Sequence, residues 1–472
     1  MARPTFIAIA AFAALSTLVT KAGPAQAQQR VVPPSRQVIQ WSYAPIVQKV
    51  APAVVNVYAS RTEKVVRNPL FDDPFFQQFF GRDFSGQDRE RVQKSLGSGV
   101  IVDASGLIVT NHHVIEGMTD VKVALADKRE FPAEILLRDA RSDLAVLRIK
   151  GASERFPVLE LGDSDGLQVG DLVLALGNPF GVGQTVTQGI VSALARTQID
   201  SSDYQFFIQT DASINPGNSG GALVDLDGRL EGINTAIYSR SGGSVGIGFA
   251  IPVNMVKIVI ASAKSGAKSV RRPWLGAKLQ TVTTDIAESL GLPRPTGALV
   301  VSIVEGGPAA EAGIKRGDVI LSVDGQPVDD PDAFGFRFAT HALGQTVSVE
   351  LRRGSSNLPV SIKLRSAPEA PPRDLVTITG SNPLAGATLE NLSPAVDEEL
   401  SIDAASGVVV AEVEDNSSAS QFGFQKGDIL VEVNETKIAT TRDAQRAFAG
   451  TARLWKIVIG RGGQLLASVF QG

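Results

Sequence analysis

The chain has 472 residues, of which 43% are hydrophobic and 20% are charged, and its formal net charge is −4. That composition is typical of a soluble globular protein, and the length predicts about two to four domains. An acidic balance without a long basic block gives no case for nucleic-acid binding. The absence of cysteine excludes disulfides, thiolate metal sites and cysteine nucleophiles. With three histidines and no HExxH motif, we expect no metal and no cofactor.

The N-terminal residues have the pattern of a secretory signal peptide. Arg3 supplies a positive charge, FIAIAAFAALSTLV (6–19) is apolar, and AQA (25–27) fits the small-x-small cleavage rule. The apolar run is short for a bilayer span, although an uncleaved anchor is the alternative. We therefore expect residues 1–27 to be removed and the mature chain to act outside the cytoplasm.

Short strands dominate the next two hundred residues. From about Ala51 to Ile251, β-branched and apolar segments such as GSGVIVD, GLIVTN and LAVLRI alternate with turn residues, a pattern that predicts a sandwich or barrel. A Phe-rich segment (68–95) interrupts them. So many exposed Phe side chains would be costly, so this segment is either a loop with its own aromatic cluster or a contact surface. A helix-like stretch closes the region near Gly266.

Two similar segments follow, beginning at Gly297 and at Gly407. They share a G-x-x-x-G-D element at a constant offset of 110 positions, as the following pairs show: Gly313 and Gly423, Gly317 and Gly427, Asp318 and Asp428, Val323 and Val433. Two copies are too few for a solenoid, so the sequence predicts two small independent modules. The Pro-rich segment RSAPEAPPRD (365–374) is the predicted linker between them.

The stretch DASINPGNSGG (211–221) places Ser219 inside a cluster of glycines. Glycine loses more backbone freedom on folding than any other residue, so such a cluster needs a structural reason. One reason is a surface turn. The other is a backbone bent to project a serine hydroxyl beside N–H groups that converge on one point, as a nucleophile and its oxyanion hole require.

A serine nucleophile needs a base and a carboxylate that orients the base. GLIVTNHHVIEG contains two adjacent histidines at a strand end, and RSDLAVLRI places Asp143 before another apolar strand. Alone, a histidine is more often structural, and an Asp before a strand is usually a solvated turn. Together with GNSGG they follow the order His, Asp, Ser, which is the chymotrypsin-type order.

TNHHVI, SDLAVLRI, LGNPFG, QTDASINPGNSGGAL and GIGFAIP resemble the HtrA/Deg family of serine proteases, and the two C-terminal repeats resemble its PDZ domains. The resemblance covers nearly all of the mature chain. It implies an all-β dominated fold, with a chymotrypsin-like double β-barrel protease domain followed by two small α+β PDZ domains. The implied bounds are 38–266 for the protease domain, with a regulatory and oligomerisation loop at 68–95, then 270–366 and 374–472 for the PDZ domains.

The resemblance implies an ATP-independent serine endopeptidase of the periplasm that degrades unfolded or misfolded envelope proteins. No Walker-type phosphate loop is present, which agrees with ATP independence. A holding chaperone that binds such chains with little proteolysis is the main alternative. A peptide-binding scaffold is a third, and it would leave the serine, histidine and aspartate unexplained.

The resemblance also assigns the catalytic residues. His113 is the implied general base, Asp143 its orienting partner and Ser219 the nucleophile. The family usually has asparagine where His112 stands, so His112 is expected to be a neighbour without a chemical role. The implied oxyanion hole is formed by the N–H groups of Gly217 and Ser219, with Asn218 between them.

The remaining site residues are expectations of the same kind. The implied specificity pocket contains Ile233, Asn234 and Ile237, and its apolar character predicts cleavage after small or medium aliphatic residues. The implied peptide-binding loop of the first PDZ domain consists of Leu275, Gly276 and Ala277. Ala277 is smaller than the family's usual residue. The corresponding residues 384–387 of the second PDZ domain depart further, which leaves peptide binding there open.

Regulation and assembly are also implied by the resemblance. Arg196, in a segment that matches the family's sensor loop, is the candidate regulatory residue. The expected partners are unfolded or misfolded polypeptides and their C-terminal segments, and a second copy of the chain in a homotrimer. Larger cages and a peripheral membrane contact are left open.

Overall fold

The structure is a computed structural model that describes residues 42–64, 90–178, 183–196, 206–237, 244–400, 402 and 406–471. The described residues from Ile46 onward belong to one compact unit. The predicted signal peptide lies outside the described residues, as do residues 68–89 of the predicted loop. The last residues of that loop, 90–95, belong to a strand, because their backbone pairs with the first strand of the domain.

The first described helix is α1 (Ala44–Val50). Six strands then form a closed barrel in the order β1-β2-β3-β6-β5-β4. Their bounds are β1 Val54–Lys64, β2 Glu90–Asp103, β3 Leu107–Asn111, β4 Asp120–Ala124, β5 Glu130–Asp139 and β6 Leu144–Ile149. A short helix, α2 (His112–Ile115), follows β3 directly. All of β3 is buried, including the polar residues Thr110 and Asn111 at its end.

Six further strands close a second barrel in the order β10-β11-β12-β9-β8-β7. Their bounds are β7 Leu172–Gly177, β8 Thr185–Arg196, β9 Phe207–Thr210, β10 Ala222–Val224, β11 Leu230–Ile237 and β12 Gly248–Pro252. Helix α3 (Val253–Lys264) follows β12 and contacts β11 of the second barrel and β6 of the first. Its buried residues recur at helical spacing, from Val253 and Val256 to Ala263, so one apolar face holds the two barrels together.

The two repeats form two separate sheets, each with short helices. In the first, the order is β13-β14-β15-β17-β18, with β16 paired to β15. Its elements are β13 Ala277–Thr281, α4 Thr284–Ser289, β14 Ala298–Ile303, α5 Pro308–Glu311, β15 Val319–Val323, β16 Gln326–Pro327, α6 Pro331–Ala339, β17 Thr346–Arg353 and β18 Ser356–Lys363.

The second sheet has the order β19-β20-β21-β22-β24-β25, with β23 paired to β22. Its elements are β19 Val376–Thr377, β20 Ala387–Asn391, α7 Pro394–Leu400, β21 Val408–Val413, α8 Ser418–Gln421, β22 Ile429–Val433, β23 Thr436–Lys437, α9 Thr441–Phe448, β24 Leu454–Arg461 and β25 Gln464–Gln471. It therefore has one strand, β19, that precedes the elements shared with the first sheet.

The repeated G-x-x-x-G-D element has the same structural role in both modules. Asp318 is 1% exposed and accepts two hydrogen bonds from the guanidinium of Arg353, both at 2.7 Å. Asp428 is equally buried and is held by Arg461 in the same two-pronged manner. A buried carboxylate needs such a partner, so the aspartate recurs to anchor the start of the following strand.

The expected fold class is confirmed: strands predominate, two closed barrels come first and two α+β modules follow. None of the helices in the described part of the chain combines the length and hydrophobicity that a bilayer span requires.

Candidate active site

The two barrels supply different parts of one site. His113 lies on α2, immediately after β3, and Asp143 lies in the turn between β5 and β6, so both come from the first barrel. Ser219 lies in the loop between β9 and β10 of the second barrel. Residues far apart in sequence are therefore brought to the junction of the barrels.

His113 and Asp143 are in direct contact. The Nδ1 atom of His113 lies 2.8 Å from Oδ2 and 3.0 Å from Oδ1 of Asp143. The His113 backbone N–H also donates to Oδ1 at 3.0 Å. The carboxylate is mostly buried, whereas the imidazole side chain is 46% exposed. One edge of the ring is thus fixed by a carboxylate while the ring remains accessible to a reactant.

The backbone of Asp143 is fixed as firmly as its side chain. Asp143 has φ 51°, a left-handed conformation that is unusual for a residue other than glycine. Its carbonyl accepts hydrogen bonds from the N–H of His112 at 3.1 Å and from Nδ2 of Asn111 at 2.9 Å. These bonds tie the aspartate turn to the end of β3, where the histidines begin, and they stabilise the unusual conformation.

Thr235 on β11 connects the serine to the aspartate. Its hydroxyl donates to Oδ2 of Asp143 at 2.6 Å, and its carbonyl accepts the Ser219 hydroxyl at 3.0 Å. In the described residues the Ser219 hydroxyl therefore bonds to Thr235 and not to His113.

The loop before Ser219 presents two free donors. Gly217 has φ 101°, and within the described residues neither its N–H nor that of Ser219 has a hydrogen-bond acceptor. Ser98 holds this loop in place, because its hydroxyl donates to the Gly217 carbonyl at 2.7 Å. The Ser98 N–H donates to the Ser219 carbonyl at the same distance. With both carbonyls bound, the two N–H groups are available to an oxyanion.

The glycine cluster is explained by close approach of backbone. Gly220 has φ 84°, and a Cβ there would lie 2.1 Å from the Ser98 carbonyl oxygen. A Cβ at Gly221 would lie 2.2 Å from the Leu176 carbonyl oxygen. A side chain at either position would push the serine loop away from the barrel, so this packing requires glycine at both positions.

The aspartate turn is supported from outside the barrels. Asp139, at the end of β5, accepts hydrogen bonds from Ser142 and from Arg272, which lies between α3 and the first PDZ-like module. Arg272 and Asp139 are both almost fully buried. The neighbouring Arg141 lies 3.6 Å from Glu398 on α7 of the second module. Segments outside the protease domain therefore contact the turn that carries Asp143.

The expected specificity residues have less accessible positions. Ile233 and Asn234 are fully buried, and the Asn234 amide donates to the carbonyls of Leu176 and Ala222. Ile237 is in β11, but its side chain lies outside the described part of the structure. The same is true of the Arg196 side chain, at the end of β8.

The expected peptide-binding loop of the first module leads directly into its outermost strand. Leu275 is buried, Gly276 has φ 71°, and Ala277 begins β13. In the described residues the N–H groups of Leu275 and Gly276 have no acceptor. The loop therefore has free donors next to an open sheet edge.

Two residues of the site were not predicted from the sequence, Thr235 and Ser98. Thr235 lies in GINTAIY, a segment expected to shape the pocket, yet nothing local indicates its bond to Asp143. Ser98 lies in the sequence LGSGVIV, which predicts only a strand. Among the described residues, no group of acidic or histidine side chains has an arrangement suited to a metal ion.

Comparisons with known proteins agree with this architecture. Residues 97–233 match the trypsin-like peptidase domain family, and residues 273–364 and 383–460 match the PDZ domain family. The periplasmic serine endoprotease DegP of Salmonella typhimurium is 37% identical over 445 residues, which cover 89% of this chain and 90% of that protein. The periplasmic pH-dependent serine endoprotease DegQ of Escherichia coli is 39% identical, with 90% of each chain covered.

A solved structure gives the same result. The HtrA-type protease AlgW with a decapeptide is 45% identical, with a TM-score of 0.52, and covers 70% of this chain and 100% of its own. The identities and the coverage are high enough to establish the relationship. The chain therefore belongs to the HtrA family of serine endoproteases, built as a trypsin-like peptidase domain followed by two PDZ domains.

Proposed function

We propose that Ser219 is the nucleophile of this endoprotease, His113 its general base and Asp143 the carboxylate that orients the base. The proposal rests on two hydrogen bonds that Thr235 makes, one with Asp143 and one with Ser219. Its hydroxyl binds Asp143 and its carbonyl binds the Ser219 hydroxyl, so the serine lies beside the His113–Asp143 pair.

In the proposed reaction the Ser219 hydroxyl leaves Thr235, turns to His113 and attacks the scissile carbonyl carbon as the imidazole takes its proton. Asp143 accepts the other ring N–H and stabilises the imidazolium. The negative charge that develops on the substrate oxygen is stabilised by hydrogen bonds from the N–H groups of Gly217 and Ser219. Each such donor contributes about 3–4 kcal/mol to the transition state. The imidazolium then protonates the leaving amine, and water completes hydrolysis of the acyl-enzyme.

The proposed substrates are unfolded or misfolded polypeptides of the bacterial envelope, cleaved without ATP. Extended segments can enter a protease cleft and can also add to the free edge of β13 in the first PDZ domain. Two observations support this: AlgW, an HtrA-type protease, has been solved with a decapeptide, and DegP and DegQ are periplasmic. We propose a periplasmic location for this chain too, after removal of residues 1–27.

The proposed specificity is for small or medium aliphatic residues before the cleaved bond, with Ile233, Asn234 and Ile237 shaping the pocket. Since Ile233 and Asn234 are fully buried, they would act by setting the path of β11. Efficient cleavage after arginine in a peptide library would exclude this specificity. Arg196 as a regulatory residue and a homotrimeric assembly remain part of the proposal.

A holding chaperone with little proteolysis is not favoured, because the relatives are named endoproteases. The choice of base is tested by comparing two adjacent histidines. His113→Ala should abolish digestion of casein, while His112→Ala, which leaves the contact with Asp143 intact, should retain it. An inactive His112→Ala protein beside an active His113→Ala protein would reverse the assignment.

A further inference from the structure

The two PDZ domains differ at the edge where such domains take up an extended peptide. In the first domain, β13 is the outermost strand of the sheet. In the second, the equivalent strand β20 is flanked by β19, which comes from the segment that joins the two domains. The residues 110 positions before β19, Gly266 and Ala267, close the C-terminal end of helix α3 instead. The extra strand is therefore specific to the second domain.

The extra strand has the polarity and hydrogen bonds of a bound peptide. It runs antiparallel to β20, with Val376 opposite Leu389 and Thr377 opposite Thr388. The next residue, Ile378, reaches the loop that precedes β20. The Ile378 N–H donates to the Ala387 carbonyl, and the Ile378 carbonyl accepts the Gly386 N–H, both at 2.9 Å. Gly386 corresponds to Gly276 of the first domain, so a carbonyl occupies the position expected for a terminal carboxylate.

The side chain of Ile378 is buried as an anchoring residue would be. It is 3% exposed and belongs to the hydrophobic cluster of the second domain. That cluster also includes residues of the loop, of β20 and of α9: Leu384, Ala387, Leu389, Ala444, Phe448. The apolar side chain thus fills the space between the edge strand and the helix, which in a PDZ domain receives the last residue of a ligand.

The backbone donors of the two loops are used differently. In the second domain, the N–H groups of Ala385, Gly386 and Ala387 donate to the carbonyls of Asn382, Ile378 and Leu384 respectively. In the described residues of the first domain, the N–H groups of Leu275 and Gly276 have no acceptor. Only the first loop therefore has donors available to an incoming carboxylate.

The segment before β19 is also fixed to the second domain. The Arg373 guanidinium donates to Glu390 at 3.1 Å and to Glu399 at 2.7 Å, and the Arg373 carbonyl accepts the Asn391 N–H at 2.7 Å. A ligand tethered in this way has a high effective concentration, which a free peptide must exceed in order to displace it.

We infer that residues 376–378 are the resident ligand of the second PDZ domain and exclude a peptide C terminus from it. The number of peptides that one chain binds also rests on the proposed peptide binding by the first domain, whereas the position of residues 376–378 does not. The second domain then acts as a clamp on the segment between the PDZ domains.

The first experiment traps the segment in place. Thr377 Oγ1 and Thr388 Oγ1 are 3.0 Å apart, and the chain has no cysteine of its own. In the full-length chain, Thr377→Cys with Thr388→Cys should form a disulfide nearly quantitatively under mild oxidation. The control pair Thr377→Cys with Thr436→Cys, on strands that are not neighbours, should remain reduced. Equal cross-linking of both pairs, or of neither, would overturn the inference.

The second experiment counts peptides. The Ser219→Ala chain, which should not cleave the probe, is titrated with a fluorescent decapeptide that ends in a free aliphatic residue. A second titration uses the same decapeptide amidated at its C terminus, and the sites that this peptide also occupies, such as the protease cleft, are subtracted. We expect one peptide per chain. Ile378→Asp, which places a charge in the buried site, should raise the number to two. The control Leu375→Asp, three residues earlier and 62% exposed, should leave it at one.

The outcomes are distinguishable. Two peptides per chain without a substitution at Ile378, or an Ile378→Asp chain that unfolds cooperatively like its parent and still binds one, would overturn the inference. If the first domain binds no peptide, the chain should bind none without the Ile378 substitution and one with Ile378→Asp. In that case only the proposed role of the first domain fails. If Ile378→Asp prevents folding, the disulfide experiment decides.

Discussion

The Ser219 hydroxyl donates a hydrogen bond to the carbonyl oxygen of Thr235 at 3.0 Å. The same threonine donates its own hydroxyl to Asp143, so one residue of β11 sets the positions of two proposed catalytic side chains. Strand β11 therefore positions both side chains. We expect Thr235 to affect catalysis by orienting Asp143 and Ser219, without touching the substrate.

Replacing Thr235 by valine should lower kcat roughly ten- to a hundred-fold and leave KM for a short peptide nearly unchanged. Valine preserves the shape of threonine but removes a hydrogen bond to a charged group, worth about 1.5–3 kcal/mol. Asp143 would then orient His113 less well. Steady-state kinetics with a fluorogenic peptide measure both constants.

The control is Thr119→Val. The Thr119 hydroxyl also donates to a carboxylate, that of Asp120, but the pair is exposed and distant from Ser219 in sequence. It should leave kcat within about twofold of the parent. An equal loss of kcat in both variants would show that the Thr235 bond has no special role.

Ser98→Ala should reduce kcat about tenfold or more. The Ser98 hydroxyl donates to the Gly217 carbonyl and accepts the Asn178 N–H at 2.9 Å, so its removal frees the peptide that presents the oxyanion donor. The loss should remain below the ~10²–10³ that removal of a donor itself costs. The control is Ser105→Ala, at an exposed position. Weaker substrate binding alone, seen as a higher KM with kcat unchanged, would contradict this role for Ser98.

Arg272→Met should destabilise the protein by about 3–5 kcal/mol, because it leaves the buried Asp139 carboxylate without its charged partner. The double variant Arg272→Met, Asp139→Leu replaces both charges by apolar side chains and should recover most of that stability. The exposed pair of Arg129 and Asp127 offers the control, and Arg129→Met should cost at most about 1 kcal/mol. Chemical denaturation measures these differences; similar losses for both arginines would refute a structural role for the buried pair.

Glu231 should make stability depend on pH. It is 4% exposed, and burial, followed by the nearby Asp225 carboxylate, raises its pKa from 4.5 to about 7. Between those values the folded chain keeps a proton that the unfolded chain releases, so stability falls as the pH rises from about 4.5 to 7. The full effect is up to about 3 kcal/mol, at about 1.4 kcal/mol per pKa unit.

Glu231→Gln should therefore unfold like the parent near pH 5 and be more stable above pH 7.5. Glu160→Gln removes the same charge at an exposed position and should not show this divergence. Urea unfolding at both pH values tests the difference; parallel pH dependence in Glu231→Gln and the parent would mean that Glu231 is not the group responsible.

The sequence predicted the architecture because its signals are local. Short apolar segments separated by turns indicate strands, and a constant offset of 110 positions, as between Asp318 and Asp428, indicates duplicated modules. The order of histidine, aspartate and serine is also readable without coordinates. The three residues could be chosen because each lies in a recognisable motif of its own.

The supporting residues could not be predicted in this way. Thr235 contacts Asp143 across 92 positions, and Ser98 contacts Gly217 across 119, so no local pattern marks them. The strand β19 is only two residues long, too short for a period-2 pattern. Peptide binding by the second PDZ domain was left open because residues 384–387 depart from the family's pattern, and the strand that covers the edge of β20 was not predicted.

The central claim, that this chain hydrolyses peptide bonds through Ser219, is tested most directly by casein digestion with the full-length protein and its Ser219→Ala variant. Removing a nucleophile of this type lowers turnover by about 10⁶-fold, so the variant should show essentially no cleavage while unfolding at the parent's temperature. Casein cleaved at the same rate by both proteins would contradict the account.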